Sequence, residues 1–556
     1  MLTRDDRREK PWTFVSGVVA MTSAALACGG DSGGSDIDGG PGEVDGDVPI
    51  WEEVYDDPAD FDRSICDGGV GDVASREIWH FGADTEKQGH FGPYRPIFFR
   101  PQGDVVRWTG GAGDLGARVS GRAWEDASQS EGDVFFRHRH YVNFHQLVWS
   151  FTACGTDDDG HLAGRFADCW FVHMEGEYDP RCREASFRAA RLEALGDSDA
   201  AGLSELARYD GPEDGTWNAG ERAATAVAAQ GDFAYVARAG AGLRIIDVSD
   251  PSDPSEVGFL APADEDDGER SDVGQVDVAL AEGEGDAKYA YVAFPSGSFV
   301  ADVSDPEDPI EVGELSGAQA LFVHDERLYA VTGSGASLAI YDISDRQSPV
   351  ALGSYADPDA STWSIGPQSQ PPPADTEALY DVHADGERVY ISHGRLGVIV
   401  LDTADPDSPE RIAAFDEEGT YARASAHVAA PGGDVLVMTE EQFGGGLRVL
   451  GGDPESDEYL APIADYDTRP EVAPGRIAVA GERVYVAYHQ DGLRVLDLGD
   501  PESPAEVGHY NTWPGPEDAY GDHFAEGAKD IAVDPERDLV FVADTHRGLA
   551  ILEPDP

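Results

Sequence analysis

One run in the chain has the residue types of a metal site: Phe136-Arg-His-Arg-His-Tyr-Val-Asn-Phe-His145. Alternate side chains on a strand share a face, so His138 and His140 would project together, close enough to share one cation. His145 falls on the other face unless a bulge intervenes. His80, His90, His161 and His173 could complete a site, yet no spacing rule places them. The competing reading is an exposed, Arg-flanked strand with solvated histidines. A second set emerges downstream, where seven similar strands each open a repeat unit. One position in them is occupied by Thr225, Asp277, Ala320, Asp381, His427, Arg476 and Asp530. If these strands line a common axis, five of the seven side chains there are ionisable. Carboxylates held together out of water have shifted pKa values, a mark of candidate sites. The position could hold a divalent cation or a small ligand. The alternative is a structural ring of ion pairs, with Arg476 matched to Asp530 or Asp381. His393, Glu440, His489 and His546 follow the second strand of their units and rim the same or the opposite face.

Other chemistry lacks its signature. The chain has no Gly-x-Ser-x-Gly elbow, no His-Glu-x-x-His and no phosphate-binding Gly-rich loop, so no catalytic residue is assigned. With 108 acidic residues, adjoining carboxylates occur by chance and carry no information. No cofactor is expected beyond a divalent cation.

The elements that must position the axial set are repeats. Leu243-Arg-Ile-Ile-Asp247 returns as Ser298–Asp302, Leu338–Asp342, Val398–Asp402, Leu447–Gly451, Leu493–Asp497 and Leu549–Glu553. Each follows an apolar strand holding Tyr235, Tyr291, Tyr329, Tyr390, Val437, Tyr485 or Phe541. The β-branched and aromatic residues mark strands. A unit of about 40–60 residues with four short strands cannot bury its own core and must stack radially. Between the third and fourth strands, Asp-Pro pairs such as Asp250-Pro251 and Asp305-Pro306 read as stiff turns, since Asp caps the backbone and Pro presets φ. They lack the spaced carboxylates of a calcium loop. The seventh unit has no fourth strand, whereas Ser204–Tyr209, ahead of the first, resembles Ala505–Tyr510. That segment is expected to supply the missing strand. The fold class is therefore all-β: a seven-bladed propeller over 201–556, preceded by a small antiparallel β domain over 51–200.

With its Gly-Leu-Arg-(Ile/Val)-(Ile/Leu)-Asp-Val-Ser-Asp-Pro phrases, the chain resembles the LVIVD-repeat family from about Leu203 onward, most clearly in units one, two, four and six. The resemblance implies a β-propeller and a surface location in a bacterial envelope. It implies no catalytic residues.

The segment before the repeats reads as successive hairpins, among them Asp133–Thr152, His161–Phe166, Cys169–Met174 and Ala185–Leu192, the last being a strand or a short helix. A barrel of lipocalin type and a sandwich both fit. Cys66, Cys154, Cys169 and Cys182 are even in number, and in an exported chain suggest two disulfides with three connectivities open.

Residues 1–28 read as a lipoprotein signal: Arg4, Arg7, Arg8 and Lys10 precede an apolar stretch that ends Ala25-Leu-Ala-Cys28. Cys28 is the expected lipidation site, and the polar, Gly-rich 29–50 a flexible tether. A net charge of −69 repels nucleic acid and anionic headgroups. It suits salty surroundings, where screening weakens self-repulsion. The membrane would then be reached only through the lipid anchor. Three functions follow as expectations. The first is a non-catalytic envelope lipoprotein whose propeller binds or scaffolds a protein, glycan or small molecule. The second is a metal-dependent hydrolase or lactonase with an axial site. The third is small-ligand binding by a lipocalin-like N-terminal domain.

Overall fold

The computed structural model describes Phe61, Ser64 and, with breaks, residues 77–555. The largest breaks are 85–94, 108–122, 212–223, 262–276, 359–378 and 516–525; over 77–149 and 170–181 the backbone alone is described. Cys28 and Cys66 lie outside the described residues. Among the described residues every strand pair is antiparallel and no α-helix occurs.

The first eight strands are β1 (Glu77–Asp84), β2 (Arg95–Gln102), β3 (Val105–Arg107), β4 (Ala123–Ser130), β5 (Asp133–Val142), β6 (His145–Thr156), β7 (Leu162–Met174) and β8 (Glu177–Arg191). Their order is β3-β2-β1-β8-β7-β6-β5-β4. β1 pairs with β8, every other neighbour is a sequential hairpin, and the sheet's two ends, β3 and β4, come alongside each other. This cyclic order is that of an up-and-down barrel with one seam lacking a ladder, so the barrel replaces the sandwich. The run 133–152 is two strands rather than one, and 161–174 is a single strand rather than two. Ala185–Leu192 is strand to Arg191, not helix. Cys169 and Cys182, directly opposite on β7 and β8, form a disulfide, and Cys154 is also disulfide-bonded. Phe151 packs on Phe166 with centroids 4.6 Å apart and takes the edge of Phe187 at 5.9 Å.

Seven more sheets follow: the first five are four-stranded meanders, the sixth gains a fifth strand, and the seventh takes its outer strand from ahead of the first. Their innermost strands are Ala226–Gln230, Asp277–Glu282, Ala318–His324, Asp381–Asp385, Ala422–Ala430, Ile477–Ala480 and Ala528–Asp534. One buried apolar cluster fills each blade-to-blade seam, and Tyr235, Tyr291, Tyr329, Tyr390 and Phe541 are among its fully buried anchors. The seventh seam packs Leu539, Phe541 and Ile551 against Val227, Val236 and Ile246, which closes the ring.

Two short strands precede the first blade, β9 (Ala200–Ala201) and β10 (Leu203–Tyr209). β10 pairs with the final strand, Leu203 opposite Pro554 and Tyr209 opposite Leu549, and so completes the last blade as expected. β9 adds a fifth strand to blade six. The segment joining the barrel to the ring is tied down. Leu192 is buried with Val472, Tyr488 and Trp513, and Arg469 Nη1 donates to the Glu193 carbonyl at 2.6 Å.

The Asp-Pro elements are turns of the expected kind. Asp250 Oδ1 accepts the Ser252 N–H at 3.1 Å, Asp305 Oδ1 the Glu307 N–H at 3.2 Å, and Asp247 Oδ1 the Ser249 N–H at 2.8 Å. Each turn also docks on the preceding blade. A Cβ added at Gly258 would lie 2.0 Å from the Pro306 carbonyl, one at Gly353 2.1 Å from that of Pro406, and one at Gly313 2.4 Å from that of Gln347. Glycine in the Glu-Val-Gly phrase is thus demanded by close approach of backbone.

Candidate functional site at the propeller axis

Register identifies the axial position. Two residues past each second-strand anchor, the backbone partners on the inner strands are Ala226, Asp277, Ala320, Asp381, Ala424 and Asp530, with Arg476 completing the set in blade six. Asp277, Asp381, Arg476 and Asp530 therefore stand where the sequence placed them. Thr225 and His427 do not. Thr225 lies one residue outside the ring, its N–H and Oγ1 both bound to the Ala237 carbonyl. His427 pairs with Leu436, three residues farther down the bore. The hairpin of blade five, Ala422–Ala430 with Gly433–Glu440, is longer than its counterparts and defeats counting from its turn. Alanines in blades one, three and five leave room for the four charged side chains.

Arg476 spans the bore. Its Nη1 lies 2.6 Å from Asp277 Oδ1, in blade two, and 3.8 Å from Asp530 Oδ2, in blade seven. All three residues are more than nine-tenths removed from solvent, with exposures of 8%, 3% and 7%. The aspartates also staple blade to blade. Asp277 Oδ2 accepts the Leu321 N–H of blade three at 2.8 Å, and its Oδ1 the Val278 N–H at 2.8 Å. Asp530 Oδ2 accepts the Val227 N–H of blade one at 2.9 Å. Satisfied in this way, buried carboxylates stabilise rather than cost.

The electrostatics follow from this crowding. Burial pushes Asp530 up to about 7, with Arg476 opposing and Asp277 assisting. Burial likewise takes Asp381 to about 6, against the pull of Arg476 and with the push of Asp277. Burial works against the Arg476 charge, but attraction to Asp277, Asp530 and Asp381 outweighs it and holds the guanidinium above its ordinary value.

A polar network that the sequence reading reached only in part runs outward over blades five to seven. Arg423 Nε meets Glu441 Oε2 at 3.0 Å, and Glu441 Oε1 meets His489 Nε2 at 2.8 Å. His489 Nδ1 faces the Ala528 carbonyl at 3.0 Å. Glu440 pairs instead with Arg448 Nε at 2.8 Å, and burial raises its pKa despite that partner. His393 is buried on blade four, and His546 lies outside the described residues. Arg423 and Glu441 carried no spacing signal in the sequence; only the fold brings them to this rim.

At the far end of the bore the inner strands gather His324, His383 and His427. The His383 ring lies 4.7 Å from Phe322, and His427 stacks on Tyr390 at 6.3 Å with Nδ1 3.1 Å from Asp385 Oδ2. In the barrel, His138 and His140 sit on β5 opposite Glu125 and Ala123 of β4; their side chains lie outside the described residues. Among the described residues no group of three or more His, Cys, Asp or Glu side chains is placed to hold a metal ion.

The connections differ at the two ends of the ring. Hairpins at the histidine end turn in two residues, as at 231–232, 325–326, 386–387 and 481–482. Connections that lead into the axial aspartates and their equivalents vary in length, from 316–317 to 356–380. The charged mouth is where the sequence invests its variable length.

The LVIVD repeat model matches residues 221–261, 285–316, 328–357 and 474–512, which are units one, two, three and six. Unit three thus takes the place expected for unit four. No curated protein matches the chain. Among solved structures, Raptor of Chaetomium thermophilum is similar at 11% identity and a TM-score of 0.44, over 60% of this chain and 28% of its own. The computationally designed Ika8 protein is similar at 13% and 0.38, over 62% and 98%. A protein from Lactobacillus plantarum is similar at 15% and 0.40, over 58% and 87%. This chain spans about 28% of the length of Raptor, and scores this low carry nothing over. The strand order is that of a seven-bladed β-propeller following an eight-stranded antiparallel sheet, and four of its units are similar to the LVIVD repeat.

Proposed function

We propose that the protein is a non-catalytic binding or scaffolding module of the bacterial envelope, exported, lipidated at Cys28 and held at the outer membrane or cell surface. Its partner is an envelope protein, a glycan or a small molecule, met at the mouth that carries the long connections. One observation carries this reading: Arg476 already occupies the axis, and both oxygens of Asp277 are taken by the guanidinium and by two backbone amides. A hydrolase of the kind considered from sequence needs open coordination positions there. The rim of such a hub, where strands of successive blades end, is a common place for binding surfaces.

The test is metal loading. The purified protein is equilibrated with calcium, manganese or zinc, desalted, and its metal content and melting temperature are measured. Sub-stoichiometric retention with unchanged melting is the expected result. Stoichiometric uptake that raises the melting temperature and is lost in Asp381→Asn would overturn the non-catalytic reading. The anchor has its own check: Cys28→Ser should move the protein from the detergent phase to the aqueous phase.

A second reading has specific support in the barrel. The cyclic order of eight strands is that of lipocalin-like ligand carriers. Phe151, Phe166 and Phe187 are buried against one another, so a guest would have to displace them or lie beyond this cluster. Binding of a hydrophobic fluorescent dye that is abolished by Phe166→Ala would favour it.

A further inference from the structure

The bore has a second entrance, at the histidine end. Two residues beyond the axial ring, the inner strands place Ala228, Ala279, Ala426, Ala478 and Ala532 opposite the anchors of their second strands. Blades three and four have Phe322 and His383 there. The ring itself is shut: six of its seven residues are buried, and Arg476 crosses it. At the alanine level six of the seven are only half-buried, Ala426 being the exception. Every one of these strands is the inner edge of its sheet, so that exposure is to the bore. Small side chains on five blades therefore leave a cup, closed by the ring and open at the histidine end. Of the hairpin residues around the opening, only 286 lies outside the described residues.

The wall of the cup and its opening differ in chemistry. Phe322 and His383 lie 4.7 Å apart and make one broad ring surface beside the alanines. Burial presses the His383 pKa down to about 4, so at neutral pH it carries no charge to repel a cation. Across the ring, in blade one, Gln230 lies two residues nearer the opening than Ala228. Its Nε2 donates to Glu282 Oε1 at 3.0 Å, which fixes the amide and leaves Oε1 buried and, among the described residues, without a donor. A buried acceptor in that state costs stability until something donates to it. Around the opening, each of the seven first hairpins carries an exposed carboxylate, from Asp232 in blade one to Glu536 in blade seven. Two arginines of this end turn away from the bore, Arg327 Nη1 to the Thr403 carbonyl at 2.9 Å and Arg537 Nη1 to that of Val248 at 3.0 Å. Such an opening draws cations and repels anions. Among the described residues no group of side chains is placed to hold a metal ion, so the cation that fits is organic.

We propose that the lower bore is a binding cup for a small organic ammonium ion, whose compact apolar body rests on Phe322, His383 and the alanine wall while its N–H group donates to Gln230 Oε1. A ring face beside a cation adds attraction of its own. Concave, mostly apolar walls with one or two placed polar groups are the usual form of a small-molecule site. The cup lies on the opposite side of the axial ring from the charged mouth. The inference therefore does not depend on what that mouth binds.

The experiment is calorimetric titration of the full chain with benzylamine, which is protonated at neutral pH, in about 0.5 M sodium chloride to screen the dispersed surface charge. Saturable uptake of a single equivalent is expected. Benzoate, the anion of similar shape, should give no binding heat, and benzyl alcohol should bind at least about tenfold more weakly than the amine. Ala478→Phe, which fills the cup, should abolish uptake. Gln230→Leu, which removes the acceptor, should weaken it about tenfold. Absence of saturation up to about 10 mM, or uptake of many equivalents without a plateau, would overturn the cup. So would unchanged affinity in a folded Ala478→Phe, or equal affinity for the amine and the alcohol. Should Ala478→Phe fail to fold, unchanged affinity in Gln230→Leu would do the same.

Discussion

Asp277 joins three blades through one carboxylate: its own, the next through the Leu321 N–H, and the sixth through Arg476. Asp277→Ala strands a buried guanidinium and a buried amide at once. It should destabilise the fold by roughly 3–5 kcal/mol, measured as a shift of the urea midpoint. His383 ties stability to pH. Burial and His427 press it down to about 4 although Asp385 pulls upward. Its contribution is present above about pH 6.5 and is lost as pH falls through about 4. His383→Gln should therefore melt higher relative to the wild type in that acid window and show no gain at neutral pH. Four of the six proposed axial ligands were legible because an opening strand announces itself by a Gly-rich approach and a following Tyr. His427 was misplaced because a lengthened hairpin shifts the count without changing residue types, and Thr225 by one residue in a ladder of regular register. The rim network of Arg423, Glu441 and His489 was invisible in part, since blade five supplies the first two, blade six the third, and they obey no spacing.

The turns of blades two, three and four each lie over a glycine of the blade before, Gly258, Gly313 and Gly353. Gly258→Ala, Gly313→Ala or Gly353→Ala forces a methyl into a carbonyl oxygen, so each should cost about 1–3 kcal/mol in chemical denaturation. Blade four offers the control. Its equivalent residue is already Ala413, and Ala413→Gly should change stability by less than about 1 kcal/mol. The sequence made both turn and outer strand readable, through Asp-Pro and Glu-Val-Gly. It could not say why glycine recurs, because that reason lies in the neighbouring blade. In the first 200 residues, periodicity found strands but not their closure. A barrel and a sandwich share alternation and differ only in which distant strands pair, here β1 with β8.

Ring closure rests on a strand from ahead of the first blade, and that much was read from a missing fourth strand and its look-alike upstream. Removing residues 199–209 should expose the edge of the final strand and open the seam that Phe541 shares with Val236. The expected outcome is a lower melting temperature with self-association, seen by light scattering, since an unpaired apolar edge recruits other chains. Monomeric protein melting at the wild-type temperature would show that the ring closes without it. The net charge of −69 belongs to this scale too. Added salt should raise the melting temperature by screening the dispersed surface repulsion, while leaving the dry axial pairs untouched.

The donated strand also sets a timetable. Ser204 meets Asp555 across 351 positions of sequence, so the last hydrogen bonds of the ring await synthesis of a strand far along the chain. Such distant pairing is slow, because chain entropy must be surrendered before any contact rewards it. Six blades can stack in order of synthesis, yet the seventh stays an open edge until the tail arrives. A chain lacking either of the two paired ribbons would display that open edge to any quality-control protease it meets.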